Sequence, residues 1–515
     1  MKRFIECAFK IVFSRTLIIL LMLILQILVL LSGFTWLEQY MAYLWEGMSL
    51  LGAVLIIHII NKDEPTEFKM TWIILICLLP VFGALIYVFV VGNFGGIGQK
   101  ANQEYRINET RGLLKTSEET KTVIRKYPAS YQGFVRYMRR TAGFPAYHMS
   151  DAVYFPSGEE KFHDMLEELK KAKRYIFLEY FIVEKGEMWN AILEILKEKA
   201  REGVDVRVMY DGMCSLTQLP YRYPKKLKKY GIKAKMFAPI VPFLSTTQNN
   251  RDHRKILVID GRVAYTGGVN LADEYINQKE RFGHWKDIAV KITGDAVGSF
   301  TVMFLRMWYM SAIGKGEYRK YLENIEYEKP LAENGLVIPY ANTPGRKTEV
   351  AKTVYQSMIN QATKYVHIMT PYFVVEREFL DCMRYAAQRG VEVAMILPHI
   401  PDKKTVYYLA RTYYPELLKA GIKVYEYTPG FIHAKCFVSD DVSAVVGTVN
   451  LDYRSFYHHF ECGACFYNNR VVEQAEADFK NTLEVCREVT MDYYKKIPVY
   501  QKILGKVFKL FAPLL

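Results

Sequence analysis

The chain has 515 residues, too many for one ordinary core, so two or three domains are expected. A net charge of +14 calls for an anionic partner, either nucleic acid or a membrane carrying anionic lipid. Eight scattered cysteines hold a single C-x-x-C, Cys462 and Cys465. With no second pair or His pair to complete a zinc set, they are read as free thiols.

The first hundred residues carry long apolar runs. Thr16 to Gly33 is long enough to cross a bilayer and follows Lys2, Arg3, Lys10 and Arg15. Met41 to Ile60 is a weaker span because it holds Glu46 and His58, and Met70 to Val91 is a clear one with Pro80 tolerated as a kink. Residues 1–92 are therefore expected to be a membrane anchor of two to three transmembrane helices. Basic residues flank both ends of this region, a pattern that requires an even number of spans, whereas three candidates are present. Residues 93–150 read as a polar connector.

From about Ala152 the pattern becomes globular. His163–Lys173 reads as an amphipathic helix, Arg174–Val183 as a buried strand, Ala191–Glu202 as a helix and Val204–Tyr210 as a strand. A helix–strand pass over Leu227–Phe237 precedes the strand at His253. The second half repeats the plan: helix Val350–Thr363, strand Lys364–Val374, helix Phe379–Arg389, strand Val391–Leu397, helix Tyr407–Ala420, strand Ile422–Tyr427, then His433. This predicts an α/β protein of two duplicated α/β/α halves, 151–335 and 336–490, with mixed or mostly parallel sheets and an active site where the halves meet. Residues 491–515 form a basic amphipathic tail, and Lys495 to Lys509 interleaves lysines with Val, Ile, Leu and Phe as an interfacial lipid-binding segment does.

One motif occurs twice. His253-x-Lys255, then Asp260, then Gly267-Gly268-Val269-Asn270 is echoed by His433-x-Lys435, then Asp440, then Gly447-Thr448-Val449-Asn450. In a strand each His and its Lys share a face. Brought together, two imidazoles, two lysines and the amides of Asn270 and Asn450 suit a phosphodiester. Cations and amides stabilise its non-bridging oxygens, one His attacks phosphorus, and the other protonates the leaving alcohol. The lysines would repel a metal cation, so no metal and no cofactor are expected. Asp260 and Asp440 complete the catalytic motif but fall five residues after their Lys, and so are read as supports.

These residues identify the chain as similar to the phospholipase D superfamily, whose signature is H-x-K-x4-D twice. It resembles bacterial cardiolipin synthases more closely, through Asn249-x-Arg251-x-His253, Asp273-Glu274-Tyr275, Trp285-Lys286-Asp287, Thr370-Pro371-Tyr372-Phe373, Pro401-Asp402-Lys403-Lys404, Gly430-Phe431-x-His433 and Arg454-Ser455-Phe456. The resemblance implies phosphatidyl transfer between two phosphatidylglycerol molecules through a phosphatidyl-histidine, at a bacterial plasma membrane, with anionic lipid and no nucleic acid as partner. It also implies a carboxylate behind each imidazole, Asp287 and Glu461, holding the ring tautomer. The near-symmetry of the copies leaves the nucleophile open, with His253 favoured. The chain departs from the family at Met213-Cys214, at Asn342-Thr343-Pro344, and at His459, where Asn usually precedes Phe-Glu. Hydrolysis to phosphatidic acid and nuclease chemistry use the same residues and are the alternatives; the membrane runs count against the nuclease.

Overall fold

The computed structural model describes residues 21–24, 27, 38–91, 97–213, 218–220, 222–239, 249–312, 314–325, 335–346 and 348–514. Within them the chain forms two compact units. One holds the N-terminal helices and the residues from Leu510 on, and the other holds Asn102–Pro239 and Arg251–Lys509.

The N-terminal unit is built from helices Glu38–Ile60, Thr66–Leu78 and Pro80–Val91, packed around Ile59, Trp72, Ile76 and Tyr87. The expected continuous span Met70–Val91 is two helices. Pro80 removes a backbone donor, and Leu79 leaves helical geometry at φ −134, ψ 74. Gly83 lets the second helix lie against the first; a Cβ there would come within 2.6 Å of the Leu75 carbonyl oxygen. Among the described residues no helix is long and apolar enough to cross a membrane. The expected span Thr16–Gly33 lies largely outside those residues. The expected connector is helical over Ile97–Glu109, Glu118–Arg125 and Ala129–Tyr137. Arg106 is buried there, donating to the carbonyls of Ala312 and Gly314.

The larger unit contains the duplication. Its first half has strands β1 (Ser150–Phe155), β2 (Tyr175–Tyr180), β3 (Asp205–Asp211), β4 (Lys233–Phe237), β5 (Arg251–Asp252), β6 (Lys255–Ile259), β7 (Val263–Gly267), β8 (His284–Lys286) and β9 (Ala289–Gly294). Its second half has β10 (Leu336–Asn342), β11 (Tyr365–Met369), β12 (Phe373–Val374), β13 (Glu392–Pro398), β14 (Lys423–Tyr427), β15 (Gly430–Ile432), β16 (Cys436–Ser439), β17 (Ser443–Gly447), β18 (Leu451–Asp452), β19 (His459–Tyr467) and β20 (Cys486–Glu488). The sheet orders, β1-β9-β7-β6-β2-β3-β4 and β10-β19-β17-β16-β11-β13-β14-β20, match strand for strand until β20 adds an edge. Each sheet is mixed: β2-β3-β4 and β11-β13-β14 run parallel, and the other neighbours in these two orders are antiparallel. The central strands read as nearly unbroken apolar runs because helices cover both faces; all five residues of β6 are buried.

Element types match the sequence reading, and the boundaries move where a local signal dominates. The first helix starts at Gly158 because Ser157 caps it, its hydroxyl accepting from the Glu160 amide at 3.2 Å. The expected strand Lys364–Val374 stops at Met369 before Pro371. The expected helix Tyr407–Ala420 is two helices, Lys404–Arg411 and Tyr414–Lys419, divided ahead of Pro415.

Candidate active site

Neither His253 nor His433 lies within a strand. Each sits in a short gap between two strands. His253 and Arg254 separate β5 from β6, and His433, Ala434 and Lys435 separate β15 from β16. The short strands before the two histidines cross to the opposite half. β5 pairs in parallel with the start of β19, Arg251 with His459 and Asp252 with Phe460. β15 pairs in parallel with β8, Gly430 with His284 through Ile432 with Lys286. The backbone amides continue the pattern: His253 N donates to Phe460 O at 3.0 Å, and His433 N to Lys286 O at 2.7 Å.

One residue further along each ladder, the imidazole meets a carboxylate from the other half. His253 Nδ1 lies 2.9 and 3.0 Å from the two oxygens of Glu461, and His433 Nδ1 lies 2.7 Å from Asp287 Oδ2. All four residues are buried. An acceptor at Nδ1 fixes the neutral tautomer with its proton on Nδ1 and leaves Nε2 as the reactive nitrogen. A buried ion pair between halves reinforces the join: Lys286 Nζ lies 2.7 Å from Asp478 Oδ1.

The two dyads are not identical. Glu461 accepts a hydrogen bond from the Thr448 hydroxyl. The equivalent of Thr448 in the first half is Gly268, where a Cβ would lie 1.9 Å from Asp287 Oδ1, so the shorter acid occupies the space that Thr448 fills in the other copy. His459 stands on the Glu461 side alone. Its ring centroid is 5.3 Å from that of His253, and its Nδ1 is 3.5 Å from Glu461 Oε1.

Both lysines are buried and turn back onto their own motifs. Lys255 Nζ donates to His253 O at 2.7 Å, and Lys435 Nζ donates to His433 O. Burial lowers Lys255 to about 8 and Lys435 to about 7. Each lysine feels both Glu461 and Asp287, which places the groups of the two halves in one electrostatic site. Burial also holds His253 and His433 well below the usual imidazole range; at His433 the cations Lys435, Lys255 and Lys403 add to the effect. Burial raises Asp287 to about 6 against the opposing pull of Lys435. Burial would raise Glu461 as well, but the imidazoles of His253 and His459 outweigh it and keep that carboxyl below its usual range.

The remaining motif residues take structural positions. The Asp260 carboxylate accepts from the backbone amides of Lys173, Arg174 and Tyr175, each at 2.8 Å. Asp440 accepts from those of Thr363, Lys364 and Tyr365 at 2.6 to 2.9 Å. Both lie at the hairpin after the motif strand. Positive φ at Asp260 and Gly261 (55 and 70) and at Asp440 and Asp441 (58 and 59) gives the mirror-image turn that suits strand twist. Each Asp thus makes the turn with its backbone and ties down the neighbouring strand with its side chain, and it joins no reacting group. Asn270 is also committed, accepting from Ile182 N at 3.0 Å and donating to Tyr275 OH at 2.7 Å. Asn450 Oδ1 is buried and has no hydrogen-bond partner among the described residues. Sequence reasoning did not single out Thr448, although it follows Gly447 as Gly268 follows Gly267.

His253, His459 and Glu461 form a cluster with ligand atoms within 4.8 Å of one another, a donor set that metals use. Lys255 feels the same carboxylate, and Glu461 already holds the Nδ1 proton of His253, so the set is arranged for proton handling.

A family model described as cardiolipin synthase, phospholipase D-like domain, matches residues 165–308 and 355–483, and a phospholipase D-nuclease N-terminal model matches residues 50–91. A cardiolipin synthase of Halalkalibacterium halodurans is 33% identical over 473 residues, covering 89% of this chain and 91% of its own. One from a Geobacillus species is 33% identical over 487 residues, covering 92% and 95%. An uncharacterised protein of Streptococcus mutans is 46% identical over 467 residues, covering 90% of this chain and 100% of its own. The crystal structure of phosphatidylserine synthase from Haemophilus influenzae shares the fold, with a TM-score of 0.55 at 17% identity over 71% of this chain and 95% of that one. With two crossed His–carboxylate dyads at the junction of a duplicated α/β fold, the chain belongs to the cardiolipin synthase family of the phospholipase D superfamily.

Proposed function

We propose that the protein is a phosphatidyltransferase that joins two phosphatidylglycerol molecules into cardiolipin and releases glycerol. The observation that carries this reading is the convergence of two Nδ1-anchored imidazoles and two buried lysines on one site.

His253 Nε2 attacks the phosphorus of the donor lipid, and the bond to its glycerol headgroup breaks. His433, protonated at Nε2, gives that proton to the departing oxygen. The phosphatidyl group is then held on His253, and the imidazolium shares its charge with Glu461. The hydroxyl of a second phosphatidylglycerol gives its proton back to His433 and attacks phosphorus, and cardiolipin leaves with His253 neutral again. His253 is assigned the attack because Glu461 stays ionised and takes a further hydrogen bond from Thr448, so it best offsets a cationic covalent adduct. Lys255 and Lys435 face the non-bridging oxygens. The phosphodiester's own charge compensates the lysines that depress His433, so bound substrate raises that imidazole towards the protonated form its acid role needs.

The apolar runs of residues 1–92 support a seat in the bacterial plasma membrane, beside a lipid acceptor and away from water and nucleic acid. Purified protein in detergent, given headgroup-labelled phosphatidylglycerol, should release glycerol and form cardiolipin without added metal. Phosphatidic acid as the main product would make it a hydrolase, and DNA cleavage without lipid turnover would overturn the lipid assignment.

A further inference from the structure

The last helix of the larger unit, Val499–Lys509, is packed inside out for a water-soluble protein. Its inner face is Gly505, which lies so close to the neighbouring helix Lys404–Arg411 that a Cβ would come within 2.4 Å of the Tyr408 carbonyl oxygen. Its outer face carries Val499 (68% exposed), Tyr500 (57%), Ile503 (57%) and Val507 (44%). At 100° per residue these four fall in one continuous arc. Lys502, Lys506 and Lys509 line one flank of that arc. The stretch from Lys495 to Lys509 holds five lysines and no acidic residue. A large apolar arc left in water marks an interaction surface.

We propose that this helix lies in the headgroup layer of an anionic bilayer, its apolar arc among the upper acyl carbons and its lysines on lipid phosphates. Three observations select the bilayer as the occupant. The charge is complementary to anionic lipid. The chain passes straight from Lys509 into the apolar N-terminal unit, where the Thr71 hydroxyl donates to Leu510 O at 3.1 Å. The helix packs on Lys404–Arg411, the element that follows Lys403, and Lys403 is one of the cations acting on His433. A helix held at the headgroup plane therefore fixes the lysine-lined side of the site near the same plane, where the phosphates of both lipid substrates lie. The inference rests on the proposal that the substrates are membrane lipids, but its first test needs no turnover.

The photoreactive substitution Tyr500→p-benzoylphenylalanine is made in the full chain, with the same group at exposed Tyr385 as control. Each is illuminated on vesicles of equal parts phosphatidylglycerol and phosphatidylcholine. Lipid adducts at 500 and none at 385 are expected. No lipid adduct at 500, an equal yield at 385, or a cross-link between two chains at 500 would overturn the proposal, the last by giving the face to a second copy. In parallel, the double variant Ile503→Glu, Val507→Glu should lose about tenfold in turnover on such vesicles and stay within about twofold of the parent on detergent-solubilised substrate. Equal losses in both, or in neither, count against docking. Absence of turnover by the parent chain on either substrate form would instead sink the transferase reading while leaving the photochemical result to decide docking.

Discussion

His253 takes its carboxylate from the other half of the chain: Nδ1 lies 2.9 Å from Oε1 of Glu461, 208 residues away. His433 does the reverse with Asp287 at 2.7 Å, so neither motif copy holds a complete imidazole–carboxylate pair of its own. Removing the charge while keeping the shape should be severe. Glu461→Gln and Asp287→Asn are each expected to lower kcat about a thousand- to ten-thousandfold with little change in KM, as loss of an orienting acid does in a catalytic triad. The two should differ in single-turnover kinetics. With a donor whose leaving group needs no proton, Glu461→Gln should still slow formation of the covalent lipid–histidine, whereas Asp287→Asn should not. Identical profiles for both variants would remove the assignment of His253 as nucleophile.

Replacing either histidine tests that assignment directly. His253→Ala should abolish both turnover and the covalent adduct. His433→Ala should abolish turnover on phosphatidylglycerol yet still accumulate an adduct on His253 when the donor carries a leaving group such as p-nitrophenol, which needs no proton. The check is mass spectrometry of acid-quenched protein. An adduct that persists in His253→Ala and vanishes in His433→Ala would reverse the roles.

The duplication, the α/β class and the paired His–Lys sets were readable because they repeat at fixed spacing and because buried strands such as β2 and β13 leave apolar runs. The carboxylates Asp287 and Glu461 were found only through resemblance, and their crossing was not visible. Spacing along a chain does not say which half a strand will pair with, and β5 and β15 are two- and three-residue strands whose pairing lies entirely across the junction. The strand reading puts each His and its Lys on one face of a strand, whereas both histidines, and Lys435 with them, lie outside the strands. Three of the misplaced ends trace to prolines, at 80, 371 and 415. The apolar periodicity around each ran on, and the missing backbone donor decided the boundary.

The lysines and Asp287 predict a bell-shaped dependence of kcat/KM on pH. Asp287, raised to about 6, protonates as pH falls through that value and ceases to anchor His433. Lys435 at about 7 and Lys255 at about 8 lose their charge as pH rises through those values, and phosphate binding weakens. Activity on free enzyme should therefore peak between about 6 and 7. The falling limb of kcat should lie higher than that of kcat/KM, because a bound phosphate keeps the lysines charged. Lys435→Arg should move the falling limb of kcat/KM upward; a limb that stays in place would mean that another group sets it.

Asp260 and Asp440 are expected to matter for folding more than for chemistry. Each carboxylate gathers three backbone amides at the start of an adjacent strand and sits in a turn with positive φ. Replacement by Asn keeps an acceptor and tolerance of the turn but loses the charge, and should cost about 1–3 kcal/mol in denaturant unfolding. Turnover per folded molecule should stay within about threefold of the parent, against losses of at least about a thousandfold at Glu461. The pH dependence supplies a second check at Asp440. Burial alone would raise this carboxyl, but the amides it accepts from outweigh burial and lower it. Its stabilisation is therefore present above the ordinary Asp range near about 4 and fades as pH falls through the lowered value. The gap between the parent and Asp440→Asn should narrow on acidification. A gap that is constant with pH would mean that the carboxylate charge contributes nothing there, and a collapse of activity in folded Asp440→Asn would return this residue to the reacting set.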